Sequence, residues 1–108
     1  MALMRICGVQ DVPEGEVRRF ELDHRPFAVA NLGAEGFRVV DAICSHAHYF
    51  LDEGDVDTED ETIECPKHGS MFDLNTGRPR SLPATQPVEV FVTKIENDDV
   101  MIDFPEGD

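Results

Sequence analysis

Cys44-Ser45-His46 and Cys65-Pro66-Lys67-His68 are the two places in this chain where residue type and spacing could do chemistry. Each cluster offers one thiolate and one imidazole, as Cys-x-His and Cys-x2-His, with eighteen residues, 47–64, between the clusters. Sulfur and imidazole donors in this number suit zinc or iron–sulfur chemistry. A structural zinc site of the finger type groups like with like, a Cys pair on a hairpin and a His pair at helical spacing. Here each cluster mixes the two donors. A mononuclear Cys2His2 zinc site in an interaction module still accommodates that order, and it stands as the alternative from another class of function.

A [2Fe-2S] cluster in which one iron takes two thiolates and the other two imidazoles gives the mixture a reason. Two opposing loops, each donating one Cys and one His, can pinch an elongated cluster so that both loops reach both irons. The wider sequence points the same way. Cys44-Ser45-His46 with Gly54 downstream, then Cys65-Pro66-Lys67-His68-Gly69-Ser70-Met71-Phe72-Asp73-Leu74-Asn75-Thr76-Gly77, resembles the pattern C-x-H … C-P-x-H-G-x-x-F-D-x-x-T-G of Rieske iron–sulfur proteins. Pro83 falls where that family has a proline-containing loop covering the cluster. The likeness extends over nearly all 108 residues, the length of the small Rieske ferredoxins of bacterial ring-hydroxylating dioxygenases.

The resemblance implies an all-β Rieske fold holding one [2Fe-2S] cluster, with Cys44 and Cys65 on the inner iron and His46 and His68 on the outer one. The histidines of the family bind through Nδ1 and turn Nε2 to solvent, so electrons would pass at the imidazole edges. His48 offers a second imidazole in the first loop, but the family spacing selects His46. Gly69 lets the backbone turn closely beside the cluster, and Pro66 stiffens the same loop. Phe72 reads as core beneath the cluster, and Asn75-Thr76-Gly77 as the turn that follows. The implied role is a one-electron carrier from an NAD(P)H-dependent flavoprotein ferredoxin reductase to a terminal oxygenase, without bond chemistry of its own. A small subunit of a nitrite or other reductase and a ferredoxin tied to iron–sulfur assembly are the alternatives within the family.

Departures from the relatives carry information. Respiratory Rieske proteins lock their ligand loops with two further cysteines, whereas the corresponding positions here hold Tyr49 and Lys67. Those relatives also set a Ser and a Tyr hydroxyl against the cluster, which favours the reduced state. This chain has Ser70 but Phe72. Fewer donors to the cluster predict a potential toward the lower end of the Rieske range, roughly −150 mV. No second His, His and carboxylate set remains for the mononuclear iron of a terminal oxygenase.

The elements that must position these loops read as short antiparallel strands. Residues 3–9 and 16–22 form two, separated by Pro and Gly near 13–15. Residues 26–31 and 37–43 form a pair joined through Gly33 and Gly36. Residues 88–95 and 100–104 flank the polar tetrad 96–99, a hairpin turn. His24, beside Asp23, reads as a turn residue. The spacing of these runs predicts one domain over 1–108, with a β framework at about 1–43 and 84–108 and a cluster-binding lobe at about 44–83.

Charge is the other strong signal. Against 9 Lys and Arg stand 23 Asp and Glu, a formal net charge of −14, which excludes nucleic acid and anionic membrane as electrostatic partners. No apolar run approaches the roughly 20 residues of a membrane span, and no leader is evident, so a monomer in the cytoplasm is expected. Three cysteines are too few for a secreted disulfide framework, and Cys7, alone in an apolar stretch, reads as core packing. Eight carboxylates fall within residues 52–64, between the ligand clusters. They read either as a solvated face or as a surface that steers a basic partner.

Overall fold

Two tight turns set the register of two hairpins. Asp23 (φ 55°) and His24 (φ 66°) make one, and Asn97 (φ 51°) and Asp98 (φ 66°) the other. Positive φ at both central residues is the pattern of turns whose twist matches antiparallel strands, and Asn and Asp enter it at less cost than most residues. The pairs Leu22↔Arg25 and Glu96↔Asp99 leave only those two residues in each loop, so His24 lies in a turn as expected, while the turn expected over 96–99 narrows to 97–98 with Glu96 and Asp99 in the strands.

The computed structural model describes residues 2–44, 49–66, 69–81 and 86–104. Along them run β1 (Ala2–Gly8), β2 (Val17–Leu22), β3 (Arg25–Asn31), β4 (Phe37–Asp41), β5 (Val56–Asp57), β6 (Thr62–Glu64), β7 (Met71–Asp73), β8 (Val90–Phe91), β9 (Thr93–Glu96) and β10 (Asp99–Phe104). They form three antiparallel sheets in the orders β1-β10-β9, β2-β3-β4-β8 and β5-β6-β7. The helical segments among the described residues are three-residue 3-10 turns.

The four-stranded sheet is the middle layer, because both of its faces are buried. In β3 the whole run Phe27-Ala28-Val29-Ala30 is inaccessible. Successive side chains point to opposite faces, so that run serves two cores. Phe27 and Val29, with Val39 and Phe91, pack on Ile6, Cys7, Val12, Val100 and Ile102, joining the first sheet. The rings of Phe27 and Phe91 meet edge to face with centroids 4.9 Å apart. Ala28, Ala30, Val17 and Val40 share the second core with Leu51, Ile63, Phe72, Leu74, Cys44 and Cys65. Each fully buried large side chain contributes about 1.5–3 kcal/mol. The two candidate thiolates therefore belong to the core on the outer side of the middle sheet.

Two differences from the sequence reading have clear causes. Residues 88–95 are not one strand: β8 lies in the middle sheet and β9 in the first, and the chain crosses between them at Val92, which is 70% exposed. Apolar alternation continues through the crossing without Gly or Pro, and Asp103 anchors it by donating its amide to the carbonyl of Val92 at 2.9 Å. The third sheet, β5-β6-β7, is built from strands of two and three residues, too short for period two to register.

Candidate metal centre

The chain leaves β4 at Asp41 and at once forms the stem of the first loop. Ile43 bridges Phe50, the amide of Leu51 donates to the carbonyl of Ala42 at 2.7 Å, and the amide of Cys44 donates to the carbonyl of Tyr49 at 2.9 Å. The second stem is the β6–β7 hairpin, in register at Ile63↔Phe72 and Glu64↔Met71. At its head the amide of Cys65 donates to the carbonyl of Ser70 at 2.7 Å, and the amide of Gly69 returns to the carbonyl of Cys65 at 3.0 Å. Both cysteines are thus closed the same way, each bonded to the carbonyl five residues further on.

Cys44 and Cys65 are 3% and 0% exposed, form no disulfide, and share one apolar cluster. Two buried thiols converging from opposing loops fit a group that takes one thiolate from each loop. Of the other expected ligands, His46 and His68 lie outside the described residues, as do His48, Lys67 and Pro83.

The two stems are pressed together at Gly54. A Cβ there would stand 1.7 Å from the carbonyl oxygen of Glu64 and 3.3 Å from Cδ of Pro66, so the backbones meet where only hydrogen fits. Gly69 has a conformational requirement of its own, beside the close passage expected of it. Its φ is +75°, a left-handed conformation that L residues with side chains rarely adopt.

The rest of the motif has a mechanical explanation. Asp73 Oδ1 accepts the amides of Asn75 and Thr76 at 2.7 and 3.1 Å, Arg80 donates to its Oδ2 at 3.1 Å, and the amide of Gly77 donates to its carbonyl at 2.7 Å. Burial alone would raise the Asp73 carboxyl pKa, but these amides and the Arg80 guanidinium outweigh it and hold it below its ordinary value. Asp73, Thr76 and Gly77 therefore build the turn that follows β7. Phe72 is fully buried in the same core as the two cysteines, and Ser70, whose carbonyl accepts the Cys65 amide, is fully buried as well.

The acidic run divides by role. Asp57 Oδ1 accepts the amides of Glu59 and Asp60 at 2.9 and 3.1 Å, capping the β5–β6 turn. Glu61 accepts from Asn75 at 2.8 Å and faces Arg38 at 3.3 Å, and Asp52 lies 3.9 Å from Arg19. Glu53, Asp55, Asp57, Glu59 and Asp60 are exposed. Arg19 and Arg38 were not legible as part of the site, since single basic residues on strands carry no motif.

Cys7 stands apart in the other core, 2% exposed. Burial, then the nearby charge of Asp11, pushes its thiol up to about 11. It is a packing residue, as its sequence context indicates.

A β sandwich of short strands with two cysteine-headed loops over one core defines an iron–sulfur protein of the Rieske class. Comparison with known proteins agrees with that assignment. Residues 2–92 match the family model described as "Rieske [2Fe-2S] domain". The chain is 43% identical over 107 residues to the biphenyl 2,3-dioxygenase ferredoxin component of Rhodococcus jostii (strain RHA1), covering 99% of this chain and 97% of that one. Among solved structures it resembles the Sphingomonas yanoikuyae B1 ferredoxin, with TM-score 0.87, 32% identity, and 96% and 100% of the two chains covered. It also resembles a chain in a complex of reduced oxygenase and oxidized ferredoxin of carbazole 1,9a-dioxygenase, with TM-score 0.82, 33% identity, and 93% and 91% covered. The chain belongs to the Rieske [2Fe-2S] family, and its cofactor is a Rieske-type [2Fe-2S] cluster. The relatives that match it along almost their whole length are ferredoxins of dioxygenase systems, so its class is electron carrier rather than catalyst.

Proposed function

We propose that Cys44, His46, Cys65 and His68 hold this cluster, and that the protein carries single electrons from an NAD(P)H-dependent flavoprotein reductase to a terminal ring-hydroxylating oxygenase. The observation that carries the reading is the pair of buried, disulfide-free thiols, Cys44 and Cys65, in one core at the heads of two identically closed loops. The cluster supplies a one-electron couple when bound. The chain's own part is to present the ligands from rigid stems, bury the thiolate side in an apolar core, and exclude water from it. The likeness to a ferredoxin seen with its oxygenase supports the choice of acceptor. Among the described residues no helix is long and apolar enough to cross a membrane. A cytoplasmic monomer suits the role.

Visible and EPR spectra of protein purified without oxygen test the ligand set. A red-brown protein with about two irons per chain, bleaching on reduction, is expected. Loss of that colour in Cys44→Ser, Cys65→Ser, His46→Ala and His68→Ala variants would support the four residues. A colourless wild-type protein with one zinc would overturn the reading. The carrier role is tested by stopped-flow reduction with a ferredoxin reductase and reoxidation by a Rieske oxygenase, and failure of both steps would remove it.

A further inference from the structure

We propose that Arg19 is a positioning residue for the first ligand loop, an inference that rests on the cluster reading above. Arg19 lies on β2, in register with Ala28, on the face of the middle sheet that carries Val17, Ala28 and Ala30 toward the cysteine core. From this edge its guanidinium carbon sits 3.7 Å over the ring centroid of Phe50. Phe50 is the residue that bridges Ile43 in the stem, one position after the carbonyl that accepts the Cys44 amide. The same guanidinium lies 3.9 Å from Asp52 Oδ1, an oxygen that is buried and makes no hydrogen bond.

Three facts combine here. The stem of the Cys44 loop extends from the end of β4, is closed across itself at Ile43, Cys44 and Leu51, and is tied to β3 by the Ala42 amide donating to the carbonyl of Pro26 at 3.3 Å. Phe50 packs partly buried against the core, so the ring that Arg19 covers is also the side wall of that stem. Asp52 buries a carboxylate oxygen that, among the described residues, is ion-paired with Arg19. A planar cation stacked on the ring holds the stem against the sheet and offsets the Asp52 charge at the same time. Without Arg19 the stem keeps its Ala42–Pro26 bond and its core packing but loses the cover on the Phe50 ring, and the Asp52 charge beside it loses its ion-pair partner. Added negative charge near the cluster disfavours its reduced state.

Arg18 supplies an internal control. It is the adjacent residue, alternates to the other face and pairs with Glu16, and although it borders the same hollow as Asp52 it does not stack on the Phe50 ring, so it controls for charge without the stack. The experiment compares Arg19→Gln, Arg19→Lys, Phe50→Leu and Arg18→Gln by amide hydrogen exchange and by the reduction potential of the holoprotein. In Arg19→Gln and Phe50→Leu, exchange at the Cys44 and Leu51 amides is expected to accelerate about tenfold while the β3 and β4 amides are unchanged. Arg19→Gln should also lower the potential, and by more than Arg18→Gln, which removes the same formal charge. Arg19→Lys keeps the charge without the planar stack, so it should restore the potential but leave exchange fast. Exchange at Cys44 and Leu51 that stays at the wild-type rate in both Arg19→Gln and Phe50→Leu, or an equal potential shift in Arg18→Gln, would overturn the role of Arg19. Exchange is compared between variants in the same cluster state, so it still reads the Arg19 contact in a protein without the cluster, whereas absence of a cluster in the wild-type protein would overturn the functional reading.

Discussion

The amide of Cys65 donates to the carbonyl of Ser70 across 2.7 Å, and Ser70 is fully buried. Ser70 closes the second loop through its backbone, so its hydroxyl can be removed without opening that bond. Ser70→Ala is therefore expected to fold and keep its colour, and a lower midpoint potential by protein-film voltammetry would show that its hydroxyl donates toward the cluster, as the family resemblance implies. Phe72→Tyr restores the hydroxyl that related proteins carry there and should raise the potential. An unchanged midpoint in both variants would show that neither position tunes the cluster.

Cys7 should be chemically silent in the folded protein. With its thiol near 11, only about a thousandth is thiolate at pH 8, and it is enclosed by Val12, Val100 and Ile102. Iodoacetamide labelling of the native holoprotein at pH 8, followed by peptide mapping, is expected to leave Cys7 unmodified until denaturant is added. Cys7→Ala should cost about 1–2 kcal/mol in stability, the price of a small cavity, with no change in the visible spectrum.

The pH dependence of stability should include a contribution from Asp73. Its carboxyl titrates below the ordinary value in the folded chain, so the folded state binds fewer protons than the unfolded state as pH falls. The stabilisation is complete above the ordinary carboxylate pKa and disappears as pH drops through the lowered one. At pH 7, Asp73→Asn is expected to cost about 1–2 kcal/mol in urea unfolding, with the difference from wild type narrowing below about pH 4. A difference that stays constant down to pH 2 would refute the linkage.

Five exposed carboxylates, Glu53, Asp55, Asp57, Glu59 and Asp60, remain after Asp52 and Glu61 are assigned to arginines. If they steer a basic partner, the second-order rate of reduction by the reductase falls as salt rises from 10 to about 300 mM. Glu53→Gln with Glu59→Gln should flatten that slope and leave the potential nearly unchanged. A rate independent of salt in the wild-type protein would remove the steering role.

Much of this molecule was legible before any coordinates. The strands at 3–9, 16–22, 26–31 and 100–104 announced themselves through apolar runs ended by Gly, Pro or Asp, and His24 beside Asp23 as a turn residue. The two candidate cysteines stood out in the sequence, since a mixed Cys and His pair repeated at a distance has few chemical explanations, and the structure buries both in one core. What stayed hidden depends on pairing at long range. The third sheet consists of strands too short to show a period, and the crossing at Val92 leaves no trace in an unbroken apolar alternation. Arg19 and Arg38 acquire their roles only when the middle sheet faces the cysteine layer. Asp73 was visible as a motif position, but its work as a turn cap emerges only from the amides of Asn75 and Thr76.

The contact of Gly54 with the Glu64 carbonyl bears on how the chain length between the two ligand clusters can vary. The eighteen intervening residues are not a uniform spacer. Residues from Gly54 to Glu64 form a closed excursion whose two ends touch, with the exposed Asp57-capped turn at its far end. Insertions at that far turn lengthen the excursion without separating its ends, so the ligand spacing in sequence is elastic there while the spacing in space is fixed. An insertion beside Gly54 has no such tolerance.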